Sequence, residues 1–306
     1  MLDIIGKRFR FFLISGILVI ISIISLATIG LKLGIEFSSG SMMTVRFEQQ
    51  VTQSELKQEL VSLGYGNAIV QRTGRGDFLI RTAALSGEDK TELGNALITR
   101  FGNLAETEFY SVSSMVAAET ANNAGIAVAV AAVGILLYVT WAFRRMPRPF
   151  HYGVCAIIAL LHDVLIALGI FAIFGSILNW EINLMFITGI LAVIGYSINN
   201  TVVVFDRIRE NLTKGISSGF EIVVNTGVVE TISRCLNTSL TTVFTLVALL
   251  LFVGASIQNF TVVFLIGLIA GTFSSSCIAP SLLVVWEKGE WGRFLKRPNP
   301  AEAKAK

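Results

Sequence analysis

The sequence predicts a polytopic α-helical membrane protein with six transmembrane helices and one small α+β, ferredoxin-like domain outside the bilayer. Three observations carry this. The 306 residues are 53% hydrophobic and 15% charged, with a mean hydropathy of +0.70, whereas soluble domains carry about 25% charged residues. Charge-free runs of about 20 residues or more, enough to cross about 30 Å of hydrocarbon, recur along the chain. One long stretch, 32–121, breaks the pattern with 8 basic and 11 acidic residues, a soluble balance. The net charge of +3 is too small to suggest a nucleic-acid partner. Cys155, Cys235 and Cys277 lie in or beside apolar runs, without metal-type spacing, and read as buried apolar side chains.

The spans follow in order. Residues 11–31 form the first, behind Lys7, Arg8 and Arg10. Its charge pattern is that of a signal peptide, but its long apolar core and lack of a small-x-small cleavage site predict an uncleaved anchor. Residues 120–143 form the second. The third, 149–180, is interrupted by one charge, Asp163, and the fourth covers 182–205. The 52 charge-free residues 235–286 hold two more, with a turn near 254–259. Placing the N-terminus in the cytoplasm puts Arg144, Arg145, Arg148, Arg207, Arg209, Lys214, Arg234 and the basic tail inside, while the short loops 175–181 and 254–259 hold no basic residue. Both termini are thus expected in the cytoplasm. The expected division is 1–31, N-terminus and first span; 32–121, outer domain; 122–288, the remaining spans; 289–306, a basic cytoplasmic tail.

The outer domain alternates regular elements. Met43, Val45 and Phe47 show the period-2 pattern of a half-buried strand. Thr52-Gln-Ser-Glu55 is a capping box opening a helix with the stripe Leu56, Leu60, Leu63. Strands are expected at 69–72 and 78–82 around a Gly74-Arg-Gly76 turn. Ser86 caps a second helix with the stripe Leu93, Leu97, Phe101 and the stop Gly102, and a last strand is expected near 106–112. Strand-helix-strand-strand-helix-strand is the ferredoxin-like order.

No phosphate-cradling loop, nucleophile elbow or metal-spaced histidine pair is present, so neither an enzyme nor a cofactor is expected. The functional candidates are polar groups inside spans, since an ionisable residue at the bilayer centre is costly. Asp163 reads equally as a functional carboxyl or as a packing group. His162, about 100° around the helix, is not expected to share its face. Asn199 and Asn200 lie inside the fourth span, where interhelical hydrogen bonding is the plain alternative. Asp206, Arg207, Arg209 and Glu210 are expected to form an ion cluster at the cytoplasmic end. Arg234 either snorkels to the cytoplasm or reaches toward the fourth helix. Gly267 and Gly271 form a G-x-x-x-G for close helix packing, and Gly195 is expected to do the same.

The fourth-span segment Gly195-Tyr-Ser-Ile-Asn-Asn-Thr-Val-Val-Val-Phe-Asp-Arg-Ile-Arg-Glu-Asn211 closely resembles the signature of SecF in the SecD/SecF family. Leu160-Leu-His-Asp163, Thr238-Ser-Leu-Thr-Thr242, Leu249-Leu-Leu-Phe252 and Gly271-Thr-Phe-Ser-Ser275 follow in the expected order, and Gly34-Ile-Glu-Phe-Ser-Ser-Gly40 resembles the family's Gly-x-Asp-Phe-x-Gly-Gly element. The resemblance implies half of a resistance-nodulation-division-like transporter in the bacterial inner membrane, with SecD as the other half. It also implies the SecYEG channel, YajC and a translocating preprotein as partners. The implied activity is use of the proton motive force to complete translocation on the outer side. The alternative is a non-energised subunit that stabilises SecD and its contact with SecYEG. Where the family usually reads Asn-Asp, this chain reads Asn199-Asn200, and an amide cannot carry a proton through a cycle. The implied relay is therefore Arg234 with Asn199 and Asn200, the protonated group lying in SecD or at Asp163. Glu36 for Asp and Ser39 for the first of the paired glycines are expected to touch only local turn geometry.

Overall fold

The computed structural model describes residues 2–72, 76–178, 180–252 and 257–291, the side chains of 106 and 107 excepted. Most of the expected 74–76 and 254–259 turns, and the tail beyond 291, lie outside the described residues. Among the described residues, six helices are long and apolar enough to cross a membrane. The first is α1 (Arg8–Thr28), entered through a 3-10 turn at Ile5–Lys7; then come α5 (Ser114–Ala142), α6 (Pro149–Leu178), α7 (Leu184–Lys214) and α8 (Phe220–Phe252). The sixth is continuous from Gln258 to Lys288, built of α9 (Gln258–Phe273), a π turn (Ser274–Ile278) and α10 (Ala279–Lys288). Between α1 and α5 lie α2 (Ile35–Ser38), β1 (Gly40–Phe47), α3 (Gln53–Ser62), β2 (Ile69–Arg72), β3 (Phe78–Thr82), α4 (Gly87–Phe101) and β4 (Leu104–Val112).

Several helices outrun the apolar runs that announce them. Helix α7 continues past Phe205 to Lys214, and α8 begins at Phe220, fifteen residues before the charge-free stretch. Hydropathy ends at the first charge, but backbone hydrogen bonding does not. Ion pairs at i,i+3 and i,i+4 (Asp206–Arg209, Arg207–Glu210, Glu210–Lys214) lace the emerging turns of α7.

The sheet order is β2-β3-β1-β4, all pairs antiparallel, as in a ferredoxin-like domain. Its buried face carries Met43, Val45, Val70, Phe78 and Ile80, covered by Leu56 and Leu60 of α3 and Leu93 and Leu97 of α4. Both helices open with complete capping boxes, Thr52 with Glu55 and Ser86 with Asp89. Their side-chain and backbone hydrogen bonds hold Glu55 and Asp89 below the ordinary carboxylate range.

The sheet unit is tied to the loop between α6 and α7. Gly34 donates its N–H to Ile182 O and Ile182 returns one to Lys32 O, both at 2.7 Å. Arg81 pairs with Glu181 at 2.7 Å, and Asn259 donates to Glu181 O at 2.8 Å. We call this the sheet end of the bundle. At the opposite, terminal end, Arg8 joins the start of α8 to the segment after α10.

The turn before β1 is more than locally permissive. Ser39 sits at φ 62°, ψ 164°, a region almost confined to glycine, and Gly40 at φ 132°. A Cβ on Gly40 would lie 2.7 Å from Thr82 O. The Ser39→Gly variant is expected to raise stability by about 1 kcal/mol, since it removes strain of order 1–3 kcal/mol and concedes some unfolded-state entropy. Thermal unfolding in detergent checks this; an unchanged or lower midpoint would show that Ser39 carries no strain.

Candidate functional site

Among the described residues Asp163, midway along α6, is the only Asp, Glu, Lys or Arg that is fully inaccessible. Its Oδ2 accepts hydrogen bonds from Ser197 of α7 at 2.6 Å and Ser274 of the π turn at 2.7 Å. Its Oδ1 lies 2.9 Å from Nδ1 of His162. This corrects the expectation that adjacent helix positions keep the two side chains apart. The helical angle separates the Cβ atoms, yet a ring as long as imidazole reaches back across that gap. The other ring nitrogen, Nε2, hydrogen-bonds Ser15 of α1. Four elements meet here because small residues let them. A Cβ on Gly271 would stand 3.1 Å from Ser197 Cβ and 3.4 Å from Asp163 Oδ2, and one on Gly267 would overlap Val193 at 2.2 Å.

The relay candidates lie elsewhere. Helices α7 and α8 run antiparallel, with rungs at Tyr196–Thr238 (2.8 Å), Asn200–Ser239 (3.2 Å) and Arg207–Glu230 (2.8 Å). Asn200 is buried, and its amide donates to Ser239 Oγ, which also accepts from Thr272 at 2.7 Å. Asn199, its sequence neighbour, is exposed, as are Arg234 and Asn237, and none of these three side chains bonds another described residue. Arg234 falls between the Glu230 and Thr238 rungs, about one turn from each. The threonines above it bond back to their own helix, Thr238 to Arg234 O, Thr242 to Thr238 O and Thr245 to Thr241 O, and Thr242 also meets the Tyr196 hydroxyl of α7 at 2.9 Å. Within this chain, then, Asn200 turns inward while Arg234 and Asn199 turn outward. Neither contacts Asp163.

Gly195 is also exposed, and a Cβ built there would meet no described residue within 4 Å, so it is not a close-packing glycine among the described residues. Asp206, Arg207, Arg209 and Glu210 form two sets of pairs. One is Asp206 with Arg209 at 2.5 Å; the other joins Arg207 to Glu210 at 2.5 Å and to Glu230 of α8 at 2.8 Å, where Asn211 adds a bond at 2.7 Å. Glu230 escaped sequence reasoning because it lies 23 residues from Arg207, with no motif linking them. Ser15 escaped it likewise, and Ser197 and Ser274 read in the sequence only as helix-packing residues, since serine is common in membrane helices. Among the described residues no group of three or more His, Cys, Asp or Glu is arranged to hold a metal.

The chain matches the family described as Protein export membrane protein SecD/SecF, C-terminal, over residues 93–289, and the SecD/SecF GG Motif over 24–51. It belongs to the SecD/SecF family. Protein translocase subunit SecF of Thermobaculum terrenum is 40% identical over 99% of this chain and 99% of its own length. Protein translocase subunit SecDF of Bacillus subtilis is 33% identical over 97% of this chain but only 39% of its own length. The crystal structure of SecDF, a translocon-associated membrane protein from Thermus thermophilus, superposes with a TM-score of 0.83 at 30% identity. It aligns with 94% of this chain, which spans about two-fifths (39%) of the SecDF chain. This is therefore a multi-pass translocase subunit of the SecF type with the resistance-nodulation-division-like fold of SecDF. The GG Motif segment contains the Ser39–Gly40 turn, and the SecF signature forms most of α7.

Proposed function

We propose that this chain works beside a SecD subunit as one half of a proton-driven device that completes preprotein translocation. It would lie in the bacterial inner membrane with both termini in the cytoplasm and the sheet unit outside. The observation that carries this reading is the outward face of α7 and α8. Arg234 stands there about one turn inside the last carboxylate, Glu230, with the amides of Asn199 and Asn237 on the same face. A guanidinium facing lipid inside the end of a span is costly, so it either snorkels to the interface or is paired by a partner. A carboxylate on a facing helix of SecD supplies that pair, and Gly195 leaves room for a close helix. The SecDF relatives, in which a SecF-like region is about two-fifths of one polypeptide, support SecD as that neighbour. The lysines and arginines gathered at the terminal end support the orientation. SecYEG, YajC and the emerging preprotein are the further partners of the same reading.

Asn200 holds no transferable proton. Its role is to fix α7 against Ser239 and Thr272 beneath the Arg234 face, and the titrating carboxyl lies in SecD or at Asp163. The test is release of a translocating preprotein from vesicles containing this chain and its SecD, with and without an imposed proton gradient. Arg234→Ala is expected to lose gradient stimulation while SecD co-purifies at the natural level, and Arg234→Lys to keep part of it. An equal response in the natural chain and Arg234→Ala would sink the reading. What would then remain is a non-energised subunit that holds SecD against the channel, the role that the neutral amide of Asn200 favours.

A further inference from the structure

We propose that His162 and Asp163, ringed by Ser15, Ser197 and Ser274, form a proton-binding site within this chain, whose occupancy sets the acceptor that Ser274 takes. The proposal rests on the proton-coupled reading above and locates a site in this subunit rather than in SecD. The pair is isolated from other charges. Between Arg10 and Lys32, α1 carries none; α5 has none between Glu119 and Arg144, α7 none between Glu181 and Asp206, and the segment 235–286 none. Among the described residues, His162 is the only basic group within ion-pair distance of Asp163. The other titratable side chains in the stretches of these helices between those charges are His151, Tyr152 and Cys155 on α6, of which His151 stacks on Trp286, Cys277 in the π turn, Tyr138 on α5, and Tyr196, which bonds α8 instead.

The hydrogen-bond pattern defines two states. An ionised carboxylate only accepts, so in the deprotonated state Nδ1 of His162 carries the hydrogen and Nε2 accepts from Ser15. Asp163 then accepts three bonds, and the cluster carries one negative charge. One proton, delivered from water, adds to Nε2, and Ser15 turns from donor to acceptor. The Nδ1 proton passes to Oδ1, leaving a neutral imidazole beside a neutral carboxylic acid. No atom is gained beyond the one proton, and no charge remains in the low-dielectric interior.

The consequence falls on Ser274. Its bond to Oδ2 at 2.7 Å is charge-assisted in the first state and not in the second, which roughly halves its strength. A second acceptor already stands at 3.3 Å, Gly271 O of the preceding turn. Ser274 is also the first residue of the π turn, a rare wide turn that often marks functional sites. Protonation thus moves a hydroxyl from a neighbouring helix onto its own helix where the winding is least regular.

The test is infrared difference spectroscopy of the purified complex with SecD, acid minus alkaline, with no preprotein and no gradient. Beside the bands of the chain's other carboxyls, one carboxylic-acid C=O component is expected on acidification that is missing from the spectrum of Asp163→Asn. In His162→Gln and Ser274→Ala, which keep the carboxyl, its midpoint should move by about one pH unit or more, the scale on which a lost charge or donor acts. These two variants also serve if Asp163→Asn fails to assemble. A band of full size in Asp163→Asn, or unmoved midpoints in both other variants, overturns the proposal. Because no translocation is measured, a failure of Arg234→Ala to uncouple release leaves this result standing, and the two readings fail separately.

Discussion

Replacing Arg8 with alanine is expected to cost about 3–5 kcal/mol, the scale for removing one partner of a buried ion pair. Arg8 is only 4% exposed although it lies at the first turn of α1. One of its amino nitrogens donates to Ile5 O at 2.9 Å and to Glu221 at 2.7 Å, and the other to Glu290 at 2.6 Å. Lys288 also pairs with Glu221. The guanidinium therefore stands between two carboxylates from distant parts of the chain. Without it, Glu221 and Glu290 face each other across a half-buried gap. Asn225 alone would then hold the entry to α1, through the N–H groups of Ile4 and Ile5 at 2.9 and 3.1 Å and the carbonyl of Leu2 at 2.9 Å. The expected signs are a large drop in thermal midpoint and early protease cleavage near the N-terminus. Arg8→Lys should recover only part, because an ammonium lacks the fork that reaches both carboxylates. A midpoint within about 0.5 kcal/mol of the natural chain, the usual bound for surface changes, would place Arg8 among them.

What the sequence could say about this fold depended on whether a residue's partners were near or far along the chain. Long apolar runs, charge-free except for Asp163 in the third, announce all six spans, because exclusion of charge is imposed by hydrocarbon on each helix separately. The capping boxes at Thr52 and Ser86 are likewise local, three residues wide. The Asp163 cluster is not. Ser15 lies 147 residues from His162, and Ser274 lies 111 from Asp163, so only the packed bundle brings them together. The signature segment was legible as a motif, but its two asparagines point different ways. Nothing in Asn-Asn tells which amide faces the interior; the phase of α7 against α8 decides it. Ser39 was legible as a departure from a glycine pair, but its strain became visible only in φ.

A close helix contact that the sequence does not mark is at Gly169, and Gly169→Leu is expected to detach α1 from the bundle. A Cβ built there would lie 2.3 Å from Ser22 Cβ, 2.4 Å from Ser22 Oγ and 2.4 Å from Ser22 Cα. Apart from Arg8, the buried side chains of α1 are Ser15, Ser22 and Ser25, a seam of small residues pressed on α6, and Ser25 Oγ donates to Gly169 O at 3.2 Å. In lipid no hydrophobic force draws helices together, so this close approach and its hydrogen bonds are what hold α1. A single methyl in Gly169→Ala is expected to cost about 1–3 kcal/mol as overpacking, and leucine to abolish the contact, read as loss of folded protein in detergent. Adding Ser22→Gly should rescue Gly169→Ala only in part: it removes Cβ and Oγ, but the Cα at 2.4 Å is backbone and stays. Displacing α1 also withdraws Ser15 from His162. The same Gly169→Ala protein should therefore shift the midpoint of the Asp163 band, tying the packing of the first helix to the proton site it helps to build.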